Sequence, residues 1–82
     1  MAVQKKGLAL DQRAWYEIRV QGRLEESWSE YIGDLKIRTG RTQPPVTVLT
    51  GMVMDQAALQ GLLSSLYSLG LPLLLVRCLK AD

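Results

Sequence analysis

The residues able to do chemistry in this chain of 82 are mainly cations at strand-like spacing. Arg19, Arg23, Lys36, Arg38 and Arg77 fall within segments of alternating polarity. Several of them therefore share one sheet face, where guanidinium and ammonium groups can hold an anion. Arg19, Arg23 and Arg38 are the candidate anion contacts. What the sequence excludes is broader. It has no His, no Asn, no Phe and one Cys, Cys78. That removes Ser-His-Asp and Cys-His nucleophiles, His-bearing zinc sites and any disulfide within one chain. No catalytic, metal-binding or cofactor-binding residue is assigned, and the chain reads as a non-enzyme that needs no cofactor.

Other constellations reduce to structure. Arg19-Val20-Gln21-Gly22-Arg23 has the arginine and bend of the phosphate-cradling loop of acylphosphatases. It lacks the extra glycine that lets amides converge, and the chain has no Asn to orient an attacking water, so it reads as a strand ending in a glycine-assisted bend. RNA-recognition motifs stack bases on aromatics of their central strands, whereas the outward set here is Glu17, Arg19, Gln21 and Arg23, and the third strand has no aromatic. A solvated charged face is the plainer reading, and nucleic acid is not an expected partner. Met52 and Met54 are too few for a soft-metal site. Glu25, Glu26 and Glu30 read as the wet side of a helix, and Cys78 as an inward, inert thiol.

The elements that position these residues follow from periodicity. Tyr16, Ile18, Val20 and Leu24 against Glu17, Arg19, Gln21 and Arg23 give period two over 16–24, a half-buried strand. Leu24, Trp28, Tyr31 and Ile32 then share one side of a short helix that Gly33 ends. Leu35, Ile37 and Thr39 alternate with Lys36 and Arg38 in a second strand. A Gly/Pro turn at 40–45 leads to a third strand from 46 to about 53. Asp55 caps a helix with Ala58, Leu59, Leu62, Leu63, Leu66 and Leu69 on one stripe, stopped by Gly70 and Pro72. A second stripe of small residues, Ala57, Gly61, Ser64 and Ser68, leaves room for a close neighbour such as Trp28 or Tyr31. Residues 73–79 form the last strand, apolar on both sides.

The order β-α-β-β-α-β predicts an α+β, ferredoxin-like βαββαβ fold. It is a four-stranded antiparallel sheet with the first and third strands in the middle and both helices on one face. Only ten residues separate Leu24 from Leu35, so a three-stranded sheet with one dominant helix is the alternative. Residues 1–13 lack periodicity and read as a flexible lead-in to a single domain at 14–82.

The last strand suggests association. Leu74, Val76 and Cys78 alternate against Leu73, Leu75 and Leu79, so one set must lie on the helix-free face. With Leu49 from the third strand and Arg77 at the rim, Leu73, Leu75 and Leu79 make the candidate interface. The expected partner is a second copy related by a two-fold axis, or a larger protein. A second reading is a regulatory domain sensing a small polar molecule between paired copies, near Arg19, Arg38 or Gly51.

Composition sets the bounds. At 48% hydrophobic with fifteen Leu, a packed core is attainable. A net charge of +2 is far below that of proteins held to nucleic acid by phosphate neutralisation. The first ten residues fail as a signal peptide, and the apolar run 69–76 is much shorter than the roughly 20 residues of a membrane span. A cytoplasmic protein with no membrane association is expected, and one free Cys fits a reducing compartment.

Several runs resemble a group of short bacterial proteins without an assigned activity: Tyr16-Glu17-Ile18-Arg19-Val20 with Gly22, Trp28-Ser29, Thr47-Val48-Leu49-Thr50-Gly51, Asp55-Gln56-Ala57-Ala58-Leu59 with Gly61-Leu62-Leu63, and Leu69-Gly70-Leu71-Pro72-Leu73-Leu74. The resemblance spans 16–79 and implies a small single-domain bacterial protein. It brings no catalytic residue, cofactor or substrate.

Overall fold

Residues 8–25 and 35–81 are described by the computed structural model of the chain. They form β1 (Ala14–Gln21), β2 (Lys36–Thr39), β3 (Val46–Val53), α1 (Gln56–Ser68) and β4 (Leu73–Ala81). The strands make one antiparallel sheet in the order β2-β3-β1-β4, with β1 and β3 central and β2 and β4 at the edges.

The βαββαβ expectation needs correction. The described residues run β-β-β-α-β, an α+β arrangement with one helix, and not the two-helix ferredoxin-like fold. The short helix was anchored on Leu24, but Leu24 is buried in the sheet core and Glu25 is irregular. With Leu24 used by the sheet, the helical spacing loses its first member. Glu26, Trp28, Glu30, Tyr31, Ile32 and Gly33 lie outside the described residues.

One face of the sheet carries the core. Ala14, Tyr16, Ile18 and Val20 of β1 are buried and sit opposite Val53, Gly51, Leu49 and Thr47 of β3. Leu59, Leu62 and Leu66 of α1 close over them, at the helical spacing that one apolar stripe requires. The helix starts where Asp55 accepts a hydrogen bond from the Ala58 backbone N–H at 2.7 Å. It ends at Gly70, whose φ of 80° suits the left-handed turn that closes a helix. Gly61 and its neighbours on the small-residue stripe are exposed. Among the described residues nothing lies within 4 Å of a Cβ placed at Gly61, and the aromatic neighbours expected there, Trp28 and Tyr31, are not among them.

The exit from β1 is fixed by a buried hydroxyl. Thr47 Oγ1 donates to the Gly22 carbonyl at 2.6 Å and accepts from the Leu24 N–H at 3.2 Å. Gly22 has φ 114°, and a Cβ there would stand 2.8 Å from Leu71 Cδ2, so both backbone and space demand glycine. Before β1, the Leu10 carbonyl accepts from the Gln56 backbone N–H at 2.9 Å, at the start of α1. Among the described residues no helix is long and apolar enough to cross a membrane.

Candidate functional site

The sheet face away from α1 gathers the cations. Strand register sets them in rows across the sheet: Lys36, Thr50, Glu17, Arg77; then Arg38, Val48, Arg19, Leu75; then Met52, Trp15, Lys80. Within these rows the one carboxylate is Glu17, itself only 7% exposed. Its Oε1 accepts from Arg77 Nη2 at 2.5 Å and its Oε2 from Arg19 Nε at 2.6 Å. Arg77 first, and Arg19 second, hold the Glu17 carboxyl below the usual carboxylate range, against a smaller upward push from burial. Both of its oxygens are therefore occupied, and the two guanidiniums are held in place while remaining half-exposed.

Beside this cluster, two shallow grooves meet on the outer face of β2 and β3. One, of about 440 Å³, has Arg19 and Arg38 on its walls with Thr42 and Val48. The other, of about 540 Å³, is lined by Lys36, Arg38, Val48 and Thr50. Neither has a carboxylate among its described lining residues. The structure thus joins two of the three candidate anion contacts. Arg23 stands apart, exposed beyond the end of β1, and borders a separate groove with Leu24, Glu25, Ile37 and Thr39. The turn at Gly22 breaks the alternation that would have aligned Arg23 with Arg19. Gly51 is buried on the core side and shares no surface with the arginines.

The proposed aliphatic interface does not assemble as one patch. Leu49 is fully buried between Ile18 and Ile37 in register and takes no part in a surface. Its strand alternates in the opposite phase from the one an outward Leu49 would need. Leu73 pairs with Val20 and Leu75 with Arg19, which puts these two leucines on opposite faces. The register of β4 shifts between Arg19 and Val20 and again between Trp15 and Tyr16, so Leu74 and Leu79 fall between paired positions. Each shift resets the period of two on which a face assignment depends. Arg77 does lie on the helix-free face, opposite Glu17. Cys78 shares the side of Tyr16 but is exposed, correcting its reading as a buried thiol. Among the described residues α1 packs chiefly on β3, and β4 is exposed at every residue but Leu75.

What β4 offers is an edge. It is nine residues long, with every residue exposed except the half-buried Leu75. Leu73 (51%), Leu74 (50%), Val76 (37%) and Leu79 (46%) are the exposed aliphatics along it. Two features of the outer face were missed from sequence: Glu17 as the anchor of two arginines, and Trp15 with Lys80 as a third row. Carrying the alternation of β1 one step back from Glu17 would have placed Trp15 there. Among the described residues no three His, Cys, Asp or Glu side chains are grouped to hold a metal ion.

No curated protein matches the chain, and no solved structure does. Residues 15–77, from the start of β1 into β4, match the domain of unknown function DUF8691, and the chain belongs to that family.

Proposed function

We propose that this domain is a non-enzymatic association module that pairs with a second copy of itself along β4. The observation that carries the reading is a nine-residue edge strand with four exposed aliphatic side chains. A long apolar edge presents unpaired backbone N–H and C=O groups together with greasy side chains, which is a template for another strand. Antiparallel pairing of β4 with its counterpart about a two-fold axis gives a closed dimer and one continuous sheet of eight strands. Charge favours this route over face-to-face stacking, because stacking would set the cations of two helix-free faces against each other. The exposed Cys78 beside the pairing edge suits a reducing compartment such as the cytoplasm.

Light scattering after size exclusion at micromolar concentration tests this. The expected mass is twice the 9.2 kDa of one chain, falling to one chain in a Leu74→Lys, Val76→Lys double variant. A single-chain mass for the unmodified protein at all concentrations overturns the proposal, and so does an unchanged dimer in the double variant.

A further inference from the structure

We infer that the groove between Arg19 and Arg38 is a binding site for a small molecule bearing more than one phosphate group. The two arginines stand in one row on either side of Val48. Their backbones are two strand spacings apart, about 9.5 Å, close enough for two long side chains to meet on one anion. The Arg38 side chain has no hydrogen bond or ion pair with any described residue, and the groove it shares with Arg19 has no carboxylate among its described lining. Glu17 offsets the Arg19 charge only in part, because it is shared with Arg77, so the two guanidiniums facing the groove keep a net positive charge that an anion would neutralise, and planar forks of N–H donors match phosphate oxygens.

Glu17 prepares the site. By accepting from Arg19 Nε it fixes that guanidinium and leaves the two terminal nitrogens without a partner among the described residues. Lys36 supplies the second contact. It lies two residues from Arg38 on the same face of β2, about 6.7 Å along the strand, and lines the adjoining groove. A single phosphate reaches the arginine pair alone, whereas a diphosphate reaches toward Lys36 as well. The volume of about 440 Å³ is that of a small-molecule site. Single-stranded nucleic acid would instead need stacking platforms, and among the described residues the outer face offers Trp15 alone, a row beyond Glu17 from the arginines. The site lies on the β2 side of the sheet, so it does not depend on the β4 pairing proposed above.

Calorimetric titration of the full chain with inorganic pyrophosphate, at constant ionic strength, is the test. The expected result is one pyrophosphate per chain, with at least tenfold weaker binding in Arg38→Ala, an intermediate loss in Arg38→Lys, and a change within twofold in Lys80→Gln. The Arg38 side chain is exposed and without a partner among the described residues, so its variants should keep the thermal midpoint of the parent, and that is measured alongside. No saturable heat overturns the inference. Equal weakening by Arg38→Ala and Lys80→Gln also overturns it, as diffuse charge. A dodecamer of thymidylate that binds more tightly than pyrophosphate and is weakened by Trp15→Ala overturns it in favour of nucleic acid. The titration repeated on the Leu74→Lys, Val76→Lys variant separates this result from the fate of the dimer.

Discussion

The sheet ends in two edges built to opposite rules. β2 is four residues long and points Lys36 and Arg38 to the outer face, and short length and charge both discourage a further strand from adding. β4 is nine residues long and carries Leu73, Leu74, Val76 and Leu79 exposed, with Arg77 and Lys80 as its charged side chains. The register shifts in β4 twist an edge locally, yet they leave its aliphatic content in water. The contrast is what the two proposals rest on: an anion beside the short charged edge, and another chain beside the long aliphatic one.

The comparison breaks most visibly if an outer leucine and a central one behave alike. Leu49 lies between the two halves of the sheet, opposite Ile18 on one side and Ile37 on the other, and is fully buried. Leu49→Ala should cost about 2–5 kcal/mol in urea unfolding, since it removes buried methyl groups and leaves a cavity. Leu74→Lys, at the half-exposed edge, should change the stability of one chain by about 0.5 kcal/mol or less. Equal losses would mean that β4 belongs to the core of a single chain and is not held open for a partner.

That pair of leucines also shows how far the sequence could be read. Alternation gives β3 to the residue and finds β1 displaced, 16–24 against the observed Ala14–Gln21, because the period of two ran on through the Gly22 bend to Leu24; the Asp55 cap with Gly70 gives α1. The phase of β3 was open because Val46, Val48, Leu49 and Val53 are apolar on both sides, so periodicity alone could not say that Leu49 faces inward. The phase of β4 was unreadable for a different reason. Two register shifts within nine residues leave no single period, and Leu, Val and Cys side chains do not mark where the shifts fall. Charged residues were easier: Arg19 and Arg38 carry their facing in their hydration, and they do share a groove. Arg23 failed because a glycine bend precedes it. Glu17 stayed hidden because its two partners come from Arg19, two residues on, and Arg77, sixty residues away.

Each edge is also tied to the centre in its own way, and the ties should differ in strength. On the β2 side the anchor is the buried Thr47 hydroxyl, which binds the Gly22 carbonyl and the Leu24 N–H and lies 3.3 Å from Thr39 Oγ1. Thr47→Val keeps the shape but leaves those buried groups unsatisfied, a loss of about 1–3 kcal/mol. Amide exchange should show it, with protection of the Leu24 N–H falling before that of the β1 and β3 ladder. Uniform loss across the sheet would show that the hydroxyl does not hold the β1 exit.

On the β4 side the anchor is Glu17 with Arg77, whose guanidinium is more than half exposed so that water screens the pair, and the effect should be the smallest of the three. Its sign is fixed by the direction of the shift. The Glu17 carboxyl is held lower in the folded chain than its ordinary value of 4.5, so the folded state binds fewer protons than the unfolded one. The stabilisation is complete above that ordinary value and fades as the pH falls through the lowered folded value. Thermal midpoints followed from neutral pH down to about pH 2 should therefore drop more in the parent chain than in Glu17→Gln, with the two curves converging at the acid end. Arg77→Ala should move the acid limb of the parent toward ordinary carboxylate behaviour, because Arg77 is the larger of the two causes. If Glu17→Gln retains the same acid limb, other carboxylates set it and the Glu17 pair does not fasten β4 to the sheet.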